Sequence, residues 1–243
     1  DITCKNGYIH KVDGVMMSAD NMANIINRHP LMETYASLLN RFCAPYYDAS
    51  ATATYNRLYN NTDSVYVLRY FAETSAVGSL STDPDGQTVD AQLMYDPGWN
   101  EYIYSNTAGY DLHYDAGAML VPTNKALDNW WNGAGKVIQD MYGTWDNVPM
   151  KVLVKLLNLN MINAFSETFP SKFNNIVDNA TKVPIGIKPA DVDSCFMGCN
   201  GVVYLTNVVF TPAEYSSVSF PALINQNTMS VIYWGLEQLN FEA

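Results

Sequence analysis

The sequence predicts an α+β fold, and three observations lead to this prediction. Hydrophobic residues make up 48% of the 243 residues and charged residues only 15%, which supplies a core and excludes a disordered chain. Some segments carry apolar residues at helical spacing, whereas others are short β-branched and aromatic runs. The 17 Tyr and 5 Trp also favour half-buried sheet surfaces, because each has an apolar body and a polar tip.

The first half of the chain alternates between these patterns. His29-Pro30 interrupts the chain before a run of apolar residues at helical spacing, so Leu31–Phe42 is predicted to be a helix. Val65–Phe71 is β-branched and aromatic and is predicted to be a strand. Asp83–Gly86 (Asp-Pro-Asp-Gly) predicts a turn, because Pro presets φ and Gly accepts a positive φ.

The second half adds two helices and three strands. Ala118–Val121 is predicted to be a buried strand, and Pro122–Asn124 carries the residues that begin a helix. A Leu-rich helix is predicted after Pro149. Extended segments are expected at Val183–Ile187 and at Val202–Phe210.

Residues 95–115 form the densest aromatic segment of the chain. This segment has two interpretations. In the first, which is purely structural, the rings cover one face of a sheet. In the second, exposed rings beside Asp and Asn form a platform for sugars, since C–H faces stack on rings while hydroxyls bind carboxylates and amides. The candidate ligand-binding residues are Trp99, Tyr102, Tyr104 and Tyr110.

No catalytic, cofactor or metal motif is recognised. The three His, at positions 10, 29 and 113, form no metal-binding pattern, and no Gly-x-Ser-x-Gly motif is present. Gly133–Lys136 lacks the remaining residues of a phosphate-binding loop. We therefore expect neither enzymatic activity nor a cofactor.

Charge and hydropathy limit the partners. With 24 Asp+Glu against 13 Lys+Arg, the formal net charge is −11, so no nucleic-acid partner is expected. No apolar run approaches the roughly 20 residues that a membrane-spanning helix needs. The chain starts at Asp1 with no signal-peptide pattern, so any targeting signal is expected outside it.

Four cysteines leave the redox environment open. Cys195 and Cys199 are separated by three residues, so a disulfide between them would close a small strained loop. Such a disulfide and ordinary free thiols are both compatible with the sequence.

The chain also contains an internal repeat. Asn6–Met16 aligns with Asn200–Phe210 at an offset of 194 residues, and both copies begin with Asn-Gly. Leu31–Leu39 aligns with Met229–Glu237 at an offset of 198 residues. Both copies therefore predict a turn, an extended run, a short linker and an amphipathic helix. The alternative is a single domain with two similar hairpins.

Two segments resemble the conserved boxes of fasciclin-like (FAS1) domains. Met119–Leu127 (Met-Leu-Val-Pro-Thr-Asn-Lys-Ala-Leu) resembles the first box, an apolar strand followed by Pro-Thr-Asn and a helix. Asn200–Pro212 resembles the second box, an Asn-Gly-Val strand. Asn6–Val15 resembles another second box and has the family's His at position 10.

The resemblance implies a fold and a domain organisation. The expected fold is α+β, a FAS1-like wedge of two β-sheets with packed helices and a β-rich insertion. Residues 1–27 would be the C-terminal fragment of a preceding repeat, and 28–224 a complete domain with its insertion at 44–117. Residues 225–243 would be the first helix of a following repeat. Tyr8 and Tyr233 are then expected to be partly exposed.

The resemblance also implies a function. We expect a non-enzymatic, extracytoplasmic cell-adhesion or surface-binding module in a tandem array, with neighbouring repeats and a surface protein or glycan as partners. The long Tyr-rich insertion is similar to those of Bacteroidetes-type surface or outer-membrane lipoproteins. The alternative is a glycan-binding or glycan-processing protein of a bacterial nutrient-uptake complex.

Overall fold

A computed structural model describes residues 2–14, 19–75, 78–98, 116–178 and 181–239, and it shows an α+β architecture as predicted. The strands are β1 (Ile2–Cys4), β2 (Gly7–Ile9), β3 (Cys43–Tyr47), β4 (Tyr66–Tyr70), β5 (Ala72–Thr74), β6 (Leu93–Tyr95), β7 (Gly117–Pro122), β8 (Met161–Ile162), β9 (Val192–Gly198) and β10 (Gly201–Thr206). The helices are α1 (Met22–Arg28), α2 (Glu33–Asn40), α3 (Ala49–Tyr59), α4 (Asn124–Asn132), α5 (Lys136–Tyr142), α6 (Met150–Leu159), α7 (Phe220–Ile224) and α8 (Gln226–Gln238). Within these residues no helix is both long and apolar enough to cross a bilayer.

A mixed four-stranded sheet with the order β8-β7-β10-β9 lies at the centre. Its two middle strands, β7 and β10, run parallel and are buried along their whole length. Burial on both faces explains why both strands are continuous apolar runs rather than alternating ones. The other strands described form the two-stranded pairs β1-β2, β3-β4 and β5-β6.

Side-chain caps begin three of the helices. Thr123 precedes α4 and accepts a hydrogen bond from the backbone N–H of Ala126 at 3.1 Å, as the Pro-Thr-Asn pattern predicts. Asn21 caps α1 in the same way through the N–H of Asn24. Asp48 caps α3 through the N–H of Ala51.

The turn between β9 and β10 joins three parts of the molecule. The Asn200 side chain accepts a hydrogen bond from the Met22 N–H at 2.9 Å and donates one to the Pro97 carbonyl at 3.0 Å. Its backbone carbonyl accepts a hydrogen bond from the Gly117 N–H. A Cβ on Gly201 would lie 2.1 Å from the Gly117 carbonyl oxygen, so only glycine permits this approach. One dipeptide thus fixes α1, the end of the 44–98 segment and β7.

The segment Val183–Ile187 is not a strand, so the expectation for it is wrong. It contributes only an isolated bridge between Pro184 and Val177. Pro184 has no N–H to donate, and Gly186 has a φ of 79°, so the hydrogen-bond ladder of a strand cannot continue through this segment.

The turn at Asp83–Gly86 is present as predicted. The Asp83 side chain accepts hydrogen bonds from the N–H groups of Asp85 and Gln87, at 3.0 and 2.8 Å. Gly86 adopts a φ of 79°, the positive value that the Asp-Pro-Asp-Gly pattern requires of its last residue. The prediction is therefore confirmed.

The two tyrosines expected to be partly exposed differ from each other. Tyr8 is exposed, but Tyr233 is buried, so that expectation is wrong for Tyr233. Its ring belongs to the main hydrophobic core, to which α7 also contributes, because α7 and α8 pack against each other.

All four cysteines are free thiols in the structure. Burial raises the pKa of the Cys43 thiol, with the Asp96 carboxylate adding to the effect. Burial also raises the pKa of Cys199. Both thiols are therefore less nucleophilic at neutral pH than an exposed cysteine.

The two Asn-Gly hairpins have the same geometry. In the first, Ile2 pairs with Ile9 and Cys4 with Gly7. Adding the offset of 194 residues gives the pairs Phe196–Val203 and Gly198–Gly201, which are the pairs in the second hairpin. The β9-β10 hairpin is built into the central sheet, whereas every residue of β1 and β2 is exposed.

The helix pair α1-α2 also corresponds to the helix pair α7-α8. With the offset of 198 residues, α1 falls on α7 and α2 falls on the second part of α8. The turn at residues 30–32, which separates α1 from α2, falls on the kink that α8 makes at Met229. These correspondences support the division at residues 27 and 224, which stays a proposal.

Replacing Gly201 with Ala is expected to lower the free energy of unfolding by roughly 2 to 3 kcal/mol, because the new Cβ collides with the Gly117 backbone. Gly7→Ala is the matched control: Gly7 has a similar φ in the equivalent turn, and nothing lies within 4 Å of its Cβ position. Urea unfolding of both variants measures the difference. Equal losses for both would contradict the proposed role of the contact.

Tyr35 and Tyr95 provide a second matched comparison in the core. The Tyr95 hydroxyl donates to the Ala118 carbonyl at 2.7 Å, whereas the buried Tyr35 hydroxyl has no hydrogen-bond partner within the described part of the chain. Tyr95→Phe should cost about 1 kcal/mol, and Tyr35→Phe should be neutral or stabilising. Thermal unfolding of both variants tests this, and a larger loss for Tyr35→Phe would refute it.

Candidate functional site

The four rings predicted to bind a ligand, Trp99, Tyr102, Tyr104 and Tyr110, lie outside the described residues. The structure therefore does not show which of them lie together. The described residues stop at Gly98 and begin again at Ala116. Ala116 lines the second of the cavities described below.

A cleft of about 540 Å³ lies along helix α6, and we call it the central cleft. It is lined by side chains from α6, from β5 and the approach to β6, from the turn that follows β10, and from α8. These include Glu73, Asp90, Gln92, Met94, Lys151, Val154, Lys155, Asn158, Asp178, Pro212, Glu214 and Tyr233. Polar and charged groups make up about half of this lining.

Helix α6 provides one wall of the central cleft. Lys151, Val154, Lys155 and Asn158 are spaced i, i+3, i+4 and i+7, so they share one face. The other face of α6 is buried in the core through its Val and Leu residues. Because that face is locked by packing, the two lysines are held towards the cleft.

An ion pair closes the bottom of the cleft. The Lys155 ammonium lies 3.1 Å from the Glu214 carboxylate, with side-chain exposures of 18% and 9%. Glu214 is positioned by its neighbour Tyr215, whose hydroxyl donates to the Val152 carbonyl at 2.7 Å. Burial, and secondarily the Glu214 charge, raises the pKa of Tyr215 far above its ordinary value, so its phenol remains a donor.

The side-chain amides of Asn158 and Gln92 fix the opposite wall of the cleft through hydrogen bonds to the backbone. The Asn158 side chain accepts from the Met94 N–H at 2.9 Å and donates to the Gln92 carbonyl at 3.2 Å. The Gln92 side chain in turn donates to the carbonyls of Ala72 and Leu80. These bonds attach β6 and the segment before it to α6, so the width of the cleft is set by structure already present before a ligand binds.

Lys151 lies at the end of the cleft formed by α8. Its ammonium is 6.0 Å from the centre of the Tyr233 ring. At that distance a cation–π attraction is weak but favourable, and it orients the lysine over the ring. The lysine is only half-buried and lines the cleft.

The balance of charges determines what the central cleft can hold. Four carboxylates, Glu73, Asp90, Asp178 and Glu214, face two ammonium groups. This excess of acid opposes anionic ligands, while carboxylates and ammonium groups together accept and donate hydrogen bonds to neutral polar groups. Within the described ranges, no group of three or more His, Cys, Asp or Glu side chains is arranged to hold a metal ion.

A second cavity of about 260 Å³ adjoins the cleft, since Glu73 and Met94 line both. Asp96 in this cavity is only 2% exposed, and its carboxylate accepts a hydrogen bond from the Gly98 N–H at 2.8 Å. Asn200 and Ala116 also line it. The Asn200 turn therefore forms part of the wall of the second cavity.

The central cleft is not among the features predicted from the sequence. The apolar residues after Pro149 predict the helix but not the cleft. The sequence feature that indicates the cleft is the row of Lys151, Lys155 and Asn158 on the polar side of that otherwise apolar helix. Nothing in the sequence placed Glu73 or Glu214 beside that row.

No protein-family model matches the chain, and no curated protein matches it. The resemblance to fasciclin-like domains therefore depends on the quoted segments alone, and the wedge arrangement remains a proposal.

Lys155→Met should lower the free energy of unfolding by roughly 2 kcal/mol, because it leaves the mostly buried Glu214 carboxylate without its nearest ammonium. Lys151→Met, on the same helix face, should cost less than about 1 kcal/mol, since only a weak cation–π contact at 6.0 Å is lost. Chemical unfolding of the two variants measures both values. Similar losses would show that the ion pair adds no particular stability.

Proposed function

We propose that this chain is a non-enzymatic, extracytoplasmic surface-binding module that takes a neutral, hydroxyl-rich ligand of the glycan class in the central cleft. The observation that carries the proposal is the polar face of α6, which lines one concave volume together with four carboxylates from other parts of the chain. Concave sites with a few convergent polar groups are the usual form of small-ligand sites.

The chemistry of the lining suits hydroxyl groups. A sugar hydroxyl both donates and accepts a hydrogen bond, and the cleft offers carboxylate acceptors such as Asp90 beside an ammonium donor, Lys151. Hydrogen bonds to charged groups are stronger than those between neutral groups. A neutral ligand also avoids repulsion from the excess of carboxylates, in line with the expectation that nucleic acids are not partners.

A second candidate function is cell adhesion within a tandem array of fasciclin-like repeats. The observation that favours it is the identical strand register of the β1-β2 and β9-β10 hairpins. An exposed hairpin with the geometry of a buried one suits a unit that packs against further chain. The surface or lipoprotein location comes from the resemblance alone and belongs to this proposal.

Glycan-array screening of the full chain should identify bound glycans, and calorimetry then measures their affinity. Lys151→Ala and Asp90→Asn should each weaken binding about 10-fold or more, because each removes a charged hydrogen-bonding group from the cleft. Lys136→Ala, which alters an exposed lysine on α5, is the matched control and should leave affinity unchanged. Trp99→Ala in the same assay tests the ring predicted from the sequence.

Absence of any glycan binding at millimolar concentration, or equal affinity for the cleft variants and the control, would overturn the glycan proposal. Protein-coated beads distinguish it from adhesion to proteins. Attachment to cells that is lost after enzymatic removal of surface glycans supports glycan binding, whereas attachment that survives this treatment supports the second candidate.

A further inference from the structure

An apolar side pocket opens from one end of the central cleft. It has a volume of about 190 Å³ and shares Leu159 and Asp178 with the cleft. The remaining walls carry the apolar side chains of Val183, Pro184, Ile185, Val209 and Phe210, together with the hydroxyl side chains of Thr181 and Thr211. Asp178 is the one charged residue in this lining, whereas the central cleft has six, so the side pocket offers more apolar side chains to a ligand.

Hydrogen bonds of the backbone and of the Asp178 and Thr181 side chains hold the walls of the side pocket. Asp178 accepts hydrogen bonds from the N–H and hydroxyl of Thr181, and its own N–H donates to the Val183 carbonyl. The Ile185 N–H donates to the Ile176 carbonyl at 3.0 Å. The pocket is thus held open beside the cleft, and Val183, 51% exposed, forms part of its accessible wall.

We propose that the ligand is amphipathic: its hydroxylated part occupies the central cleft, and a short alkyl group attached to it occupies the side pocket. This inference rests on the proposed function and names the ligand class more closely. The shared residues Leu159 and Asp178 make the two volumes one continuous site, so one molecule can fill both. The volume admits a chain of about six carbons, if each takes roughly the space of one water molecule.

Burial in the side pocket sets the expected size of the effect. Each methylene that leaves water gains enough to raise affinity roughly 3- to 4-fold. Lengthening a methyl group to a hexyl group should therefore increase affinity by about 30-fold or more, since part of the chain remains exposed. Beyond about six carbons the pocket is full, and the affinity should level off.

The experiment uses the full chain and alkyl glycosides of glucose, galactose, mannose and N-acetylglucosamine, each with methyl, butyl, hexyl and octyl chains below micelle-forming concentrations. Calorimetry should show affinity that rises up to the hexyl chain and then levels off. Val183→Asp should abolish this gain while leaving methyl glycoside binding unchanged, since position 183 lines the side pocket and not the central cleft. Val218→Asp, at a fully exposed valine, is the matched control and should keep the gain.

The outcomes separate the two proposals. Methyl glycosides that bind without any gain from longer chains would overturn the amphipathic ligand and leave the glycan proposal standing. A gain that persists in Val183→Asp, or that continues to rise at octyl, would indicate non-specific detergent binding and would also overturn it. Absence of binding by any glycoside would overturn both. Circular dichroism of the two variants confirms that each retains the native fold.

Discussion

The close approach of Gly201 to Gly117 is the contact on which the rest of the structure depends. Because neither residue has a Cβ, β10 can pair with β7 from its first residue, and both strands stay buried along their length. Asn200 uses the same turn to hold α1 through Met22 and the end of the 44–98 segment through Pro97. A side chain at position 201 would separate all of these at once, since packed interiors have no free space to absorb a displacement.

The central cleft follows from that arrangement. The Tyr95 hydroxyl, bonded to the Ala118 carbonyl, attaches β6 to β7, and Asn158 attaches the same strand to α6. The cleft is the space left between these elements and the turn that carries Glu214. Its polar groups are held by core packing behind them, so binding requires little reorganisation and loses little entropy.

The aromatic residues described in the structure mostly serve packing. Trp131 and Trp145 stack at 4.1 Å, and Trp130 adds its ring nearby while its indole N–H donates to Thr211. The Tyr and Trp content thus partly serves the packing of the core. The exposed pair Tyr47 and Tyr66 on the β3-β4 ribbon shows that the chain also presents rings to solvent.

Local sequence patterns predict the individual elements. Thr123 and the Pro122 before it predict where α4 begins, apolar and β-branched runs predict β4, β7 and β10, and Asn-Gly predicts both hairpin turns, because each depends on neighbouring residues only. The site depends on contacts that form only in the folded chain. Glu73 lines the same cleft as the Lys155–Glu214 ion pair although the three residues are far apart in the chain, and no periodicity encodes a contact between distant segments. Tyr233, which the repeat matches to Tyr35, is buried as Tyr35 is, and the residues that pack on it come from other segments of the main core.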